Sequence, residues 1–242
     1  MDAIITAPYN LSVPDLICYR FGKQGGDVMV WDRLEAALNE CPLVPILNVL
    51  RLEDAGPLAS ALAAGGITVC EVTLRTDVGL SAIEAFKSAE PNMITGGGSV
   101  LDSGAMQDVL AAGADFIDSP GFDEELLSAI DRCPVPVLPG VATASEAMVA
   151  YKAGIRYAKL FPASVIGGAE LLRALAAPFP DMAFMPTGGV TLSNISSFLT
   201  QPNVFSVGGT WITKPELLES GDWASITLRA REARKAARSL RP

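Results

Sequence analysis

The feature of this sequence that most limits its fold is a regular alternation of short apolar runs with helical stretches, which starts near residue 43. Short apolar strands that alternate with helices are typical of an all-parallel sheet covered by helices. Eight such strands and eight helices favour a (β/α)8 TIM barrel, of the α/β class, over a doubly wound open sheet. The predicted strands are 43–49, 67–74, 93–98, 115–120, 135–140, 157–162, 183–189 and 204–210; the predicted helices are 53–65, 77–90, 102–113, 122–132, 143–154, 167–177, 191–200 and 222–240.

The first forty residues do not follow this alternation. Residues 1–30 show no sustained periodicity, and the segment FGKQGG is typical of a turn or linker. The segment 31–40 predicts a short amphipathic helix. We therefore predict an N-terminal extension with a short helix over 1–40 and one barrel domain over 41–242, since an α/β barrel of about 250 residues is a common single-domain solution.

The chain contains no histidine, which excludes several kinds of catalytic site. Ser–His and Cys–His nucleophile pairs and histidine-based metal sites are impossible, and we predict neither a metal nor a cofactor. A net charge of −9 argues against a nucleic-acid or anionic membrane partner. The arginines of the C-terminal helix alternate with alanine and are expected to form a solvated face.

Cysteine usage and the N-terminus indicate the compartment. Cys18, Cys41, Cys70 and Cys133 lack any ligand spacing and are expected to be reduced, structural thiols. The N-terminus lacks the pattern of a signal peptide, and there is no apolar run of about 18 residues. These features predict a cytoplasmic protein.

Polar side chains interrupt the second apolar run. Alternate residues of a strand share a face, so Glu71, Thr73 and Arg75 should point together into the barrel, and Val72 and Leu74 outward. Buried charges without partners cost several kcal/mol or more. The trio therefore predicts a ligand site, with a structural Glu–Arg pair as the alternative.

Lys159 is the one lysine that falls inside an apolar strand run, and it should share a face with Tyr157 and Phe161. A dry pocket disfavours the ammonium form, so we expect a lowered pKa. A neutral amine there could attack a ketone and form an imine. The alternatives are a lysine that extends to solvent or one paired with Glu71 for stability.

Glycine pairs end the seventh and eighth strands, at Gly188–Gly189 and Gly208–Gly209. Backbone N–H groups can approach an anion closely at such glycines, and this is the usual phosphate position in barrels. Ordinary tight turns are the alternative. The third strand also ends in glycines, which could leave room for substrate, and Ser99 could add a hydroxyl donor.

Several motifs together resemble the 2-keto-3-deoxy-6-phosphogluconate (KDPG) and 4-hydroxy-2-oxoglutarate (KHG) aldolase family, over about residues 42–235. They are EVTLRT at 71–76, GGGSVL at 96–101, SPGFDEELL at 119–127, PGVAT at 139–143, KLFPA at 159–163, PTGGV at 186–190 and GGTW at 208–211. The resemblance implies a class I aldolase that cleaves a phosphorylated 2-keto-3-deoxy sugar acid and releases pyruvate. It also implies a homotrimer.

The resemblance implies a role for each matching residue. Lys159 would form the Schiff base and Glu71 would move protons, and Arg75 would bind the substrate carboxylate with the help of Ser99. The implied substrate-binding set is Arg75, Ser99, Thr73, Phe161, Thr187, Gly188, Gly189, Gly209 and Thr210, the last four at the phosphate. Thr187 favours the gluconate-type enzyme over the galactonate-type relative.

Three alternatives remain at this point. The substrate could be the galactonate epimer, for which an apolar residue is expected at position 187. The chain could be another phosphate-binding barrel, such as a decarboxylase or epimerase, or a non-catalytic barrel that binds phosphosugars. The last reading leaves the pair of Glu71 and Lys159 unexplained.

Overall fold

The computed structural model describes residues 28–241 of the chain. The predicted turn or linker at FGKQGG, and Cys18, lie outside the described residues.

Nine short strands run through this part of the chain, and every strand-to-strand pairing is parallel. Each strand begins within a predicted apolar run, and the fifth run contains two short strands instead of one. The strands are β1 Leu43–Leu47, β2 Val69–Thr73, β3 Ile94–Gly98, β4 Phe116–Asp118, β5 Val137–Leu138, β6 Gly140–Val141, β7 Tyr157–Leu160, β8 Ala183–Pro186 and β9 Val207–Gly209.

The strands form two groups, in the orders β5-β4-β3-β2-β1-β9 and β6-β7-β8. The groups are separated at Pro139, where one continuous strand was predicted; proline has no N–H to donate to a ladder. At the other side, isolated parallel bridges join Phe184 to Val204 and Thr187 to Gly208. The α/β class and the curled parallel sheet are thus confirmed, with a TIM-barrel-like arrangement of strands.

Helices follow the strands as predicted, and their ends are set by local capping. Asp102, Asp123 and Thr143 each accept a hydrogen bond from a backbone N–H of the helix that follows, which satisfies a donor that the first turn leaves unpaired. Their bounds are α1 Val28–Glu40, α2 Ala55–Ala64, α3 Gly79–Ala89, α4 Ser103–Ala111, α5 Glu124–Ile130, α6 Ala144–Lys152, α7 Gly168–Ala176, α8 Ile195–Leu199, α9 Pro215–Ser220 and α10 Trp223–Ser239.

Two of these helices depart from the sequence prediction. The helix predicted at 191–200 is reduced to the five residues of α8. The short helix α9 was not predicted; it begins with proline in its first turn and ends at Gly221, whose φ of 66° is left-handed, a common pair of helix start and stop signals.

An apolar cluster fills the inside of the curled sheet. It combines inward residues of the strands with Trp31, Leu34 and Leu38 of α1, which share one helical face. The Trp31 and Tyr157 rings lie 5.4 Å apart between centroids. A second, larger core cluster lies between the sheet and the outer helices.

Three strand residues of this inner cluster are each followed, two positions later in the chain, by a charged residue. Val69 is followed by Glu71, Phe116 by Asp118 and Tyr157 by Lys159. Because strand side chains alternate between faces, each charged residue points inward directly above an apolar one. The apolar cluster is therefore the floor of a polar pocket at the carboxyl ends of the strands.

Replacement of Trp31 by alanine tests the role of α1. The indole is 2% exposed, and loss of such a ring typically costs about 3–5 kcal/mol. We expect the free energy of unfolding in urea to fall by about that amount. Leu228→Ala, at a residue 58% exposed, should change it by less than about 0.5 kcal/mol. Equal effects of the two variants would contradict a packed α1.

Candidate active site

Three charged side chains meet at the carboxyl ends of the central strands. Glu71 lies on β2, Asp118 ends β4 and Lys159 lies on β7; the first two are fully buried and the lysine is 2% exposed. Strand register places Lys159 beside Gly140 and Met185, and Glu71 between Ile46 and Gly96. The predicted pair of Glu71 and Lys159 is thus brought together, with a third charged group that had not been predicted.

The amine contacts the two carboxylates unequally. Lys159 Nζ donates a short hydrogen bond to Asp118 Oδ1, whereas Glu71 Oε1 lies 3.6 Å from the same nitrogen. Phe161 lies on the third side, with its ring centroid 5.5 Å from Nζ. The lysine therefore does not extend to solvent, and that alternative is wrong.

The pKa of Lys159 shifts in the direction opposite to the predicted one. Burial lowers the pKa, but the charges of Asp118 and Glu71 and the hydrogen bond to Asp118 together raise it above its usual value. The prediction of a lowered pKa is wrong because it counted desolvation and omitted the second carboxylate. An ammonium in the resting site must therefore lose a proton before it can act as a nucleophile.

The carboxyl group of Asp118 is also strongly perturbed. Burial and then the nearby charge of Glu71 raise its pKa well above the usual range, and Lys159 opposes the shift only in part. A carboxyl group with a raised pKa holds a proton more readily. The pKa values of both hydrogen-bonded partners are therefore raised, that of Asp118 by burial and that of Lys159 by the two carboxylates.

The glycines of β3 make room for side chains rather than for substrate alone. A methyl group at Gly98 would lie 1.9 Å from Glu71 Oε1, and one at Gly96 would lie 2.2 Å from the Phe116 ring. A methyl group at Gly97, on the opposite face, would lie 2.3 Å from Val109. Gly98 thus allows the Glu71 carboxylate to occupy its place beside Lys159.

Arg75 and Ser99 form a second polar pair at the rim. Arg75 follows the end of β2 and is exposed, and its charge acts on Lys159, whose pKa it lowers. Its Nε donates to Ser99 Oγ at 2.9 Å. Ser99 has a φ of 63°, which is left-handed and uncommon for a residue with a side chain.

Thr73 is used by the protein itself. Its fully buried hydroxyl lies 2.7 Å from Asn48 Oδ1 and 3.1 Å from the carbonyl oxygen of Leu47. A hydroxyl has one proton to donate, and Thr73 directs it to these two oxygens. The contact links the end of β2 to the end of β1. Substrate contact by Thr73 stays a prediction.

The glycine pair after β8 has the form of an anion site. Gly188 and Gly189 have φ values of 96° and 76°, and their carbonyl oxygens accept from the backbone N–H of Ser164 and from Asn194 Nδ2. Thr187 is buried and bridges to Gly208, whereas Thr210 is exposed beside buried Gly209.

The three cysteines within residues 28–241 do not provide a nucleophile. Cys41, Cys70 and Cys133 are free and buried. Burial raises the pKa of Cys41 to about 11 and that of Cys70 to about 12, which keeps both as thiols at neutral pH.

Within residues 28–241, no three Cys, Asp or Glu side chains form a group that could hold a metal ion. No helix there is long and apolar enough to cross a membrane.

A buried amine flanked by carboxylates, at the carboxyl ends of parallel strands in a TIM-barrel-like fold, is an arrangement that an imine-forming enzyme can use. A family model for KDPG and KHG aldolase matches residues 34–228. The chain belongs to this family, and the protein is an aldehyde-lyase of the 2-dehydro-3-deoxy-phosphogluconate aldolase type.

Individual relatives agree. The 2-dehydro-3-deoxy-phosphogluconate aldolase of Pseudomonas aeruginosa is 45% identical over 83% of this chain and 91% of its own length. A KDPG aldolase structure from Legionella pneumophila, with pyruvate captured as a covalent carbinolamine, has a TM-score of 0.80 at 42% identity and covers 83% of this chain and 97% of that one. A Zymomonas mobilis structure with 3-phosphoglycerate has a TM-score of 0.76 at 36% identity over 83% and 94%.

Gly98→Ala tests whether this glycine positions Glu71. We expect kcat to fall by about 10²-fold, at the low end of what a positioned acid–base group contributes, because the added methyl group displaces the carboxylate. The matched control is Gly56→Ala in α2, where a methyl group finds its nearest neighbour at 4.0 Å and kcat should not change. Steady-state kinetics and thermal melts of both variants make the test; wild-type activity in a folded Gly98→Ala protein would contradict it.

Proposed function

We propose that this protein cleaves 2-dehydro-3-deoxy-6-phosphogluconate into pyruvate and glyceraldehyde 3-phosphate through a Schiff base on Lys159. We propose also that it cleaves 4-hydroxy-2-oxoglutarate into pyruvate and glyoxylate. The observation that carries the proposal is one buried amine held between two buried carboxylates above an apolar floor. An amine in that position can form an imine with a ketone and is protected from bulk water.

The first half of the cycle forms the imine. Lys159 Nζ, once deprotonated, attacks the C2 ketone, and a carbon–nitrogen bond forms while the carbonyl oxygen takes up a proton. Loss of water then gives the protonated imine. Glu71, whose Oε1 lies 3.6 Å from the nitrogen, would move these protons through one water molecule.

The second half breaks the carbon–carbon bond. Glu71 takes the proton of the C4 hydroxyl as the C3–C4 bond breaks. The electron pair of that bond moves into the protonated imine. Glyceraldehyde 3-phosphate leaves, and the remaining enamine is protonated at C3 and hydrolysed to pyruvate and free amine. Each proton that Glu71 takes up is returned within the cycle. The reaction as written consumes no cofactor.

The remaining predicted residues would bind the two ends of the substrate. Arg75, steered by its hydrogen bond to Ser99, is placed to bind the carboxylate of the pyruvyl end. Phe161 packs beside the reacting nitrogen. The N–H groups of Gly188 and Gly189, with Gly209 and Thr210, would bind the phosphate, and Thr187 favours the gluconate over the galactonate substrate.

We further propose the larger arrangement of the chain. The isolated parallel bridges Phe184–Val204 and Thr187–Gly208 bring the segments of β8 and β9 together and support a closed (β/α)8 barrel, in one catalytic domain over 41–242 after an N-terminal extension over 1–40. The buried free thiols support a cytoplasmic location. Family membership supports a homotrimer, which light scattering of the purified protein would test.

Borohydride reduction in the presence of pyruvate tests the Schiff base. We expect a single pyruvyl adduct, mapped by peptide mass spectrometry to Lys159. Lys159→Met should lose both the adduct and turnover, because the thioether cannot form an imine. Lys152→Met, at an exposed lysine of α6, should keep both. A wild-type adduct on any other lysine would overturn the mechanism.

Separate activity assays with the gluconate and the galactonate epimers assign the substrate.

Thr210→Val tests the phosphate site. A hydrogen bond to a charged group contributes about 1.5–3 kcal/mol, so KM for the phosphorylated substrate should rise about tenfold or more. Trapping of pyruvate, which has no phosphate, should not change. Thr200→Val, at an exposed threonine that bonds to its own helix, is the matched control. A change in pyruvate trapping without a change in KM would place Thr210 elsewhere in the mechanism.

A further inference from the structure

We propose that Asp118 is a second acid–base group of the active site, whose carboxylate accepts the proton that Lys159 Nζ must lose before it attacks the ketone. The inference rests on the proposed Schiff-base function and adds a residue to it. It divides the proton transfers between two carboxylates, with Asp118 serving the amine and Glu71 serving the substrate oxygens.

The first argument is contact. Among the described residues, the side-chain oxygen that accepts a hydrogen bond from Lys159 Nζ is Oδ1 of Asp118. Glu71 lies 3.6 Å away, beyond the distance of a good hydrogen bond. A proton transfers along a hydrogen bond, so Asp118 is the group positioned to receive it.

The second argument is burial. Asp118 is fully buried and Lys159 is 2% exposed, so bulk water cannot easily take the proton. A buried ion pair is weak evidence for stability, because the cost of desolvating two charges can exceed their attraction. The pair is therefore better explained by its chemistry than by a contribution to folding.

The third argument is the raised proton affinity of Asp118. Burial and the charge of Glu71 raise the pKa of Asp118, which makes its neutral form easier to reach when the amine gives up its proton. General base catalysis is most efficient when the base is neither too weak nor permanently protonated. Glu71 thus assists indirectly, through its charge.

The proposed step balances. One N–H bond of the ammonium breaks and one O–H bond forms on Asp118, with no change of oxidation state. The neutral amine then adds to C2, and the proton held by Asp118 leaves in the water molecule released when the imine forms. Asp118 is again a carboxylate at that point and faces the positively charged imine nitrogen.

The test is the rate of pyruvate trapping by borohydride at Lys159, measured from pH 6 to 9 for the wild type and for Asp118→Asn. Asparagine keeps the shape but cannot take a proton. We expect the rate at pH 7 to fall by about 10²-fold or more, and to recover as the pH rises and the amine loses its proton to solvent. The matched control is Asp115→Asn on the same strand segment, which pairs with Lys87 away from the site and should keep the wild-type profile.

A merely structural role predicts the opposite sign. Loss of a negative charge beside an ammonium lowers its pKa, so an Asp118 that only stabilises the charged amine would give faster trapping at pH 7 in Asp118→Asn. Unchanged or faster trapping therefore overturns the proposal. Failure of the wild type to form a Lys159 adduct would instead overturn the proposed function itself.

A third variant covers the case in which Asp118→Asn does not fold, as judged by thermal melting. Asp118→Glu keeps the carboxylate on a side chain one methylene longer. We expect it to retain the wild-type shape of the pH profile at a reduced rate. A profile that instead rises steeply with pH would show that the carboxylate has no part in deprotonating the amine.

Discussion

Two carboxylates buried beside one amine are the interaction on which this active site depends. None of the three groups would be tolerated alone in this interior, since an unpaired buried charge costs several kcal/mol or more. Together the opposite charges offset one another in part, although both oxygens of Glu71 and Oδ2 of Asp118 accept no hydrogen bond among the described residues. The lysine is held with its nitrogen inside the sheet rather than at the surface. The same two carboxylates raise the pKa of the Lys159 amine. They stabilise its ammonium form, and for that reason a nearby base is needed to remove the proton.

The rest of the described structure serves this cluster in layers. Below it, the apolar floor closed by α1 excludes water from one side. Beside it, Gly98 leaves the space that the Glu71 carboxylate fills. Above it, the rim carries Arg75 bonded to Ser99, and the left-handed glycines Gly188 and Gly189 follow β8.

Much of this could be predicted from the sequence, because strand alternation is a local property. Inward placement of Glu71 and Lys159 followed from the period of two and was confirmed. Asp118 was missed because its strand is three residues long and its partner lies 41 residues away in the chain. The direction of the Lys159 pKa depended on that missing group. The space that each β3 glycine provides is set by neighbouring strands and helices, which no local pattern reveals. The break at Pro139, in contrast, has a local signal, since proline cannot donate to a ladder, and the predicted strand passed over it.

The close approach of Gly98 to Glu71 links the evolutionary histories of these two positions. A methyl group at 98 would lie 1.9, 2.4 and 2.6 Å from Oε1, Cδ and Cγ of Glu71. The glutamate can therefore keep its present conformation only beside a glycine, and a substitution at 98 moves the acid that the site needs. Selection on the acid at 71 thus extends to a residue on the neighbouring strand that has no side chain.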